Sequence, residues 1–191
     1  MAQCRRPAPV QAGVDSDSMP TFPRLSLILG GARSGKSRHA EAMVTQTPGP
    51  WHYLATGQGL DDEMAARISR HRTDRATGWI TTEEPLALAD ALGRIATGPA
   101  PVLVDCLTLW LSNLMLDGKD PEAETDSLLR ALADLKAPIV LVANEVGLGI
   151  VPDNALARAF RDAAGRLNQR IAARADRVVF VAAGLPLVLK G

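Results

Sequence analysis

Three groups of residues in this chain have the types and spacing to do chemistry. The first is Gly30-Gly31-Ala32-Arg33-Ser34-Gly35-Lys36-Ser37, two glycines five positions apart followed by Lys and Ser. Glycines let successive N–H groups turn inward around an anion, and a helix that follows aims its positive end at the same point. Lys36 then suits the outer phosphates of a nucleotide, and the Ser37 hydroxyl suits Mg²⁺. The second is Asp105, which ends the apolar run VLVD (102–105). It is the natural second partner for that metal, set against the plainer reading of a strand-end Asp that caps the next helix. The third is ARISRHRTDR (66–75), in which Arg67, Arg70, Arg72 and Arg75 surround His71. On a helix Met64, Ile68 and His71 stand at i, i+4 and i+7, which puts His71 on the inward face. An inward histidine is more often a core residue than a catalyst, and such arginines more often a solvated face. Beside a phosphate grip, however, neutral imidazole is a competent nucleophile toward phosphorus, and guanidinium groups offset transition-state charge.

The elements that must position these groups follow from the pattern. LSLIL (25–29) is a short buried strand leading into the glycine loop, and a helix is expected from about Lys36 to Thr45. HYLAT (52–56) is a second strand, and DDEMAARISRHRTDR (61–75) a helix with acidic residues in its first turn. Residues 86–96 read as helical, VLVD as a third strand, and the apolar stretch through Leu116 as a helix. Another helix covers 121–135, and PIVLVAN (138–144) is apolar enough for a strand buried on both faces. In 154–175, Leu156, Phe160, Ala163, Leu167 and Ile171 share one helical stripe, which reads as core or subunit interface. VVFVAAG (178–184) is a last strand, to which LPLVLK (185–190) can add an antiparallel edge. Strands alternating with helices imply an α/β fold, a mostly parallel sheet with helices on both faces. Residues 1–23 carry four prolines and no apolar periodicity, and are expected to be a disordered extension to one domain spanning 24–191.

Bulk properties narrow the class. The 191 residues hold 21 Lys plus Arg against 21 Asp plus Glu, which argues against a nucleic-acid partner. Cys4 and Cys106 are the two cysteines, too few for a disulfide framework. No apolar run reaches membrane-span length, and no apolar segment follows Arg5 and Arg6 as in a secretory signal. The cytoplasm is the expected compartment. A regulatory GTPase would read guanine with Asn-Lys-x-Asp, and Asn144-Glu145-Val146-Gly147 lacks both the Lys and the Asp. A small-molecule kinase fits the size but leaves the histidine-arginine segment unexplained.

GGARSGKSRHAE (30–41), YLATGQ (53–58), DDEMAARISRHR (61–72), Trp79-x-Thr81-x-Glu83, NEVGLGIVPDN (144–154) and LARAFRDAAGRLNQR (156–170) occur in this order. Through them the chain from about Leu25 onward resembles the bifunctional adenosylcobinamide kinase/adenosylcobinamide-phosphate guanylyltransferase family of cobalamin biosynthesis. The resemblance implies a P-loop NTPase-like fold and two reactions using GTP, ATP and Mg²⁺. In the first, ATP or GTP phosphorylates the aminopropanol hydroxyl of adenosylcobinamide. In the second, GTP gives GMP to the new phosphate through a guanylylated histidine, which the match places at His71. By the same resemblance Thr56, Gly57 and Gln58 line the nucleotide site, and Arg72, Thr73, Asp74 and Arg75 contact nucleotide. Glu83 fits a guanine or ribose contact, because a carboxylate accepts from the N1–H and amino groups of guanine. His39 belongs to the P-loop helix and is read as structural. The resemblance also implies a corrinoid partner and a homotrimer. A kinase of another small metabolite and a nucleotide-binding regulatory module are the competing readings. Gly147 and Gly149 are expected to take unusual backbone angles, in a plain connection or in one wall of the corrinoid site. Arg158 and Arg161 either approach phosphate or lie on a solvated face.

Overall fold

The computed structural model describes residues 22–58 and 77–191. The tail through residue 21 and the expected helix 61–75 lie outside the described residues. Seven strands are present: β1 Leu25–Gly30, β2 Trp51–Ala55, β3 Trp79–Glu83, β4 Val102–Asp105, β5 Ile139–Asn144, β6 Arg177–Ala182 and β7 Leu185–Lys190. Five helices are described: α1 Lys36–Val44, α2 Leu88–Ile95, α3 Leu107–Leu116, α4 Pro121–Asp134 and α5 Ala155–Arg174. The strands form one sheet in the order β3-β2-β4-β5-β1-β6-β7. Every pairing is parallel except β6 with β7, which is antiparallel as expected.

Alternate side chains of the central strands go to opposite faces, and both faces are buried. Leu27 and Leu29, Val102 and Val104, and Ile139, Leu141 and Ala143 join a core with Leu88 and Leu92 of α2, Trp110 of α3, Leu128 of α4 and Leu167 and Ile171 of α5. Ile28, Leu103, Val140 and Val142 join a second core with Ala40 and Val44 of α1. A strand covered on both sides favours apolar residues, and these runs are apolar apart from the fully buried Ser26 of β1.

β3 is a strand that the sequence reading passed over, so VLVD is the fourth strand in the chain and not the third. WITTE is short, lies at the sheet edge and leaves Ile80 half exposed. Its in-register pairing with β2, from Trp51 opposite Trp79 to Ala55 opposite Glu83, supplies the order that local propensity does not. The Trp51 and Trp79 rings meet at 5.6 Å. On α5, Ala163, Leu167 and Ile171 are buried as the stripe requires, whereas Leu156 is 64% exposed and leaves the core.

Helix starts fall into two kinds. Asp120 caps α4 by accepting from the Glu122 N–H, with Pro121 in the first turn, and Asn154 caps α5 by accepting from the Ala157 N–H. α1, α2 and α3 begin at Gly35, Ala87 and Cys106 with no side-chain cap. Their first N–H groups have no partner within the helix, and the starts of α1 and α3 lie at the carboxyl edge of the sheet.

His39 sits midway along α1, and burial, aided by the Arg177 charge, lowers its pKa from the usual 6.5. A histidine with a depressed pKa binds protons better when unfolded, so its contribution is intact above the unfolded pKa. It is lost progressively as pH falls below about 6.5. Urea unfolding of the wild type and His39→Gln is expected to show the wild type losing stability relative to the variant from pH 7 to pH 5.5. A pH-independent difference would contradict this.

Candidate active site

β1 ends at Gly30, and the chain then folds over its own strand end before entering α1. A Cβ on Gly30 would meet the Ser34 hydroxyl and lie 2.5 Å from the Val181 carbonyl oxygen of β6. Only glycine passes there. Gly35 takes φ 93°, left-handed backbone, and a Cβ on it would lie 3.2 Å from the Gly184 Cα. The Ser34 N–H reaches the Gly31 carbonyl at 3.3 Å, and Arg33 also has positive φ, at 55°. These turns make a concave loop at the uncapped start of α1, the arrangement that holds phosphate. The Lys36 ammonium donates to the Gly31 carbonyl at 3.2 Å, so the cation lies across the cradle. The Ser34 hydroxyl is buried without a hydrogen-bond partner.

The loop is held from the far end of the chain. Ala183 and Gly184 turn β6 into β7 with φ of 51° and 77°, and the Gly184 N–H donates to the Ser34 carbonyl at 2.8 Å. Such two-residue turns with positive φ at both positions favour glycine.

Asp105 ends β4, two strands from β1 with β5 between them, a lateral offset of about 9.5 Å. It does not cap α3, which has no side-chain cap. Its Oδ2 accepts from the Tyr53 hydroxyl at 3.1 Å. Burial, with the Asp105 charge beside it, pushes the Cys106 thiol up to about 12, and Lys36 is among the groups that pull it down. A serine hydroxyl and a carboxylate are hard oxygen donors of the kind Mg²⁺ takes. Among the described residues no group of three His, Cys, Asp or Glu could hold a metal by itself.

Thr56 is fully buried. Its hydroxyl donates to the Cys106 carbonyl at 2.7 Å and accepts from the Cys106 N–H at 2.9 Å. Its N–H donates to the Asp105 carbonyl at 3.2 Å, and its carbonyl accepts from Asn113 Nδ2 at 2.8 Å. Asn113 also donates to the Pro85 carbonyl at 3.1 Å. Thr56 thus bears on the site by fixing Asp105 and the half-buried Gly57 and Gln58. Glu83 ends β3, four strands from β1, roughly 19 Å away. That distance separates it from the glycine loop. His71, Arg72, Thr73, Asp74 and Arg75 lie outside the described residues.

Two site residues escaped the sequence reading. One is Tyr53. The other is Asn144, which ends β5 opposite Gly30. Its N–H donates to Thr108 Oγ1, its carbonyl accepts from Asn168, and its own Oδ1 is buried without a partner. The available signal was the one that found Asp105: a polar residue closing an apolar parallel strand. Other expectations need correction. Gly147 and Gly149 have no positive φ, because the NEVG turn is shaped by the Gly147 N–H donating to Glu145 Oε1. Arg158 donates to the Pro152 and Asp153 carbonyls and Arg161 pairs with Asp162, so both serve the surface of α5.

Comparison with known proteins agrees with this architecture. A solved ATPase of a type III secretion system from pathogenic bacteria superposes with a TM-score of 0.55 at 13% identity, covering 86% of this chain and 56% of its own. The flagellar accessory protein FlaH of Methanocaldococcus jannaschii gives 0.51 at 13%, covering 88% and 80%. At such identity the likeness concerns the fold. In sequence, the bifunctional adenosylcobalamin biosynthesis protein CobP of Pseudomonas aeruginosa is 51% identical over 86% of this chain and 96% of its own length. The CobU proteins of Escherichia coli and Salmonella typhimurium are 44% and 46% identical, each over 86% of this chain and 98% of theirs. The family model for cobinamide kinase / cobinamide phosphate guanyltransferase matches residues 26–189, and the chain belongs to that family.

Proposed function

We propose that this chain carries out both reactions of its family: phosphorylation of adenosylcobinamide by ATP or GTP, then transfer of GMP from GTP to the product, giving adenosylcobinamide-GDP. The observation that carries this is the glycine cradle at the open start of α1, with Lys36 lying across it and Asp105 closing a strand two places along the same sheet. In the kinase step the corrinoid hydroxyl attacks the γ-phosphorus, and the bond to the β-bridging oxygen breaks. The cradle N–H groups and Lys36 hold the phosphates and offset the charge on the transferring group. Ser37 and Asp105 would hold Mg²⁺, which supplies further neutralisation when bound. In the second step the His71 imidazole attacks the α-phosphorus of GTP and pyrophosphate leaves. An oxygen of the corrinoid phosphate then displaces the histidine. Arg72, Thr73, Asp74 and Arg75, together with Glu83, Gly57 and Gln58, are assigned to nucleotide contacts, with the buried Thr56 fixing the backbone that carries Gly57 and Gln58. The α-phosphorus lies two units inward from the γ-phosphorus, so the steps need two nucleotide poses or a movement of the segment bearing His71.

We further assign a homotrimer working in the cytoplasm. β7 presents Leu185, Leu187, Val188 and Leu189 to solvent at the sheet edge, a row that a monomer rarely leaves uncovered. No described helix is long and apolar enough to cross a membrane. For the corrinoid, the wall is assigned to the loop after β5, where Leu148, Ile150 and Val151 are exposed. A 240 Å³ cavity lies beside it, lined by residues including Met115, Leu116, Leu156 and Phe160.

GTP labelled at the α-phosphate is expected to leave label on the protein in an acid-labile, alkali-stable bond. His71→Ala should lose that label yet still phosphorylate the corrinoid. Label surviving in the variant would falsify the role of His71. Imidazole attacks only as the free base, with an ordinary pKa of about 6.5, so guanylyl transfer should decline below pH 6 while phosphorylation continues. Parallel decline of both rates would count against a histidine nucleophile. Gly35→Ala forces alanine into left-handed backbone at a strain of about 1–2 kcal/mol. Calorimetry should show nucleotide affinity reduced about tenfold or more, and unchanged affinity would mean the cradle is elsewhere.

A further inference from the structure

Asp105 meets the cradle with one of its two carboxylate oxygens already engaged, and the group that engages it is unusual for an acid at a phosphate site. Tyr53 Oη donates to Asp105 Oδ2 at 3.1 Å. Tyr53 is 4% exposed on β2, the strand directly beside β4. Its ring stands edge-on to Trp79 at 5.8 Å and 85°, inside the core that α1 covers. The phenol is therefore held from the side, and its hydroxyl has a defined direction.

A Lys or Arg in this position would neutralise the carboxylate and compete with any cation for it. A phenol donates a hydrogen bond and leaves the full negative charge in place. It also fixes the rotation of the carboxyl group, so that Oδ1 has a set aim. Oδ1 has no hydrogen bond among the described residues. The backbone beneath is fixed as well, by Thr56 gripping both sides of Cys106. An ionised, oriented acceptor with one oxygen left over is what a weakly held, largely hydrated divalent ion needs from a protein.

We infer that Tyr53 is a positioning residue, orienting Asp105 toward the divalent cation that accompanies the bound nucleoside triphosphate. The inference rests on the reading of Asp105 as the metal-side carboxylate, and the experiment separates the two. Binding of a non-hydrolysable ATP analogue to the full chain is measured by calorimetry across a Mg²⁺ titration and in EDTA. The proteins compared are the wild type, Tyr53→Phe, Asp105→Asn and the double variant. Phe keeps the ring packing. Tyr53→Phe is expected to weaken the Mg²⁺ dependence about tenfold, as removal of an outer partner of a metal ligand does, with metal-free binding unchanged. Asp105→Asn should weaken it at least as much, and the double variant no more than Asp105→Asn alone. If Asp105→Asn abolishes the Mg²⁺ effect and Tyr53→Phe keeps it, the role of Tyr53 is wrong and that of Asp105 stands. If Asp105→Asn changes nothing, both fall. Equal losses with and without metal in Tyr53→Phe would mark a packing role and overturn the inference.

A second measurement needs no substitution at Tyr53. Tyr53 is the one tyrosine in the sequence, so fluorotyrosine labelling gives a single ¹⁹F resonance. That resonance should move when Mg²⁺ is added to the nucleotide complex and stay still for the nucleotide in EDTA. Movement that persists in Asp105→Asn, or no metal-dependent movement at all, would refute the link.

Discussion

The first N–H groups of α1 have no side-chain partner, and the rest of the molecule is arranged around that open end. α4 and α5 are capped by Asp120 and Asn154. At Gly35 a cap is absent, and the turn before it is tight enough that Gly30 clears the Val181 carbonyl only for want of a side chain. Unpaired N–H groups at a helix start carry partial positive charge and cost stability until an anion meets them. The Gly184 hydrogen bond to Ser34 keeps the loop from relaxing into a conformation that would satisfy them internally. The C-terminal hairpin is thus part of the phosphate site, although some 150 residues separate it from the loop.

Sheet order decides how the second half of the site is spaced. With β5 between β1 and β4, Asp105 stands about two strand widths from the strand that launches the loop. A directly adjacent strand would crowd the carboxylate against the phosphates, whereas this offset leaves room for a hydrated ion. Asn144 fills the intervening edge with its backbone fully engaged and its Oδ1 bare. A buried acceptor without a donor costs on the order of 1–3 kcal/mol, so its survival in this position fits a part in the bound state. Thr56 and Asn113 knit the ends of β2, β3 and β4 together. This side of the site is accordingly a rigid rim.

A rigid rim sharpens the problem of running two reactions on one scaffold. The cradle and the carboxylate are fixed relative to each other by sheet and hydrogen bonds, so they cannot shift to present first the γ- and then the α-phosphorus. In the mechanism proposed, the adjustment comes from the nucleotide or from the segment that carries His71. Glu83, four strands from the loop, is well separated from the glycine cradle, which fits the proposed division of base recognition and phosphate handling between different parts of the same edge.

Much was legible in the sequence because it is written in local or periodic terms. The glycine spacing of the loop, the both-face-buried runs 25–29, 102–105 and 138–144, and the stripe on α5 each follow from φ freedom or from strand and helix periods. Residue order determined that there would be a phosphate cradle after a buried parallel strand, with Asp105 closing another. Only tertiary structure decided which strands are neighbours, that WITTE is an edge strand, that Tyr53 holds Asp105, and that Gly184 holds the loop. It also decided that Leu156 leaves the core and that Gly147 and Gly149 need no special backbone. The physical reason is the same in each case. These outcomes depend on contacts between residues far apart in the chain, and a periodicity reports only which face a side chain prefers, never what it will find there.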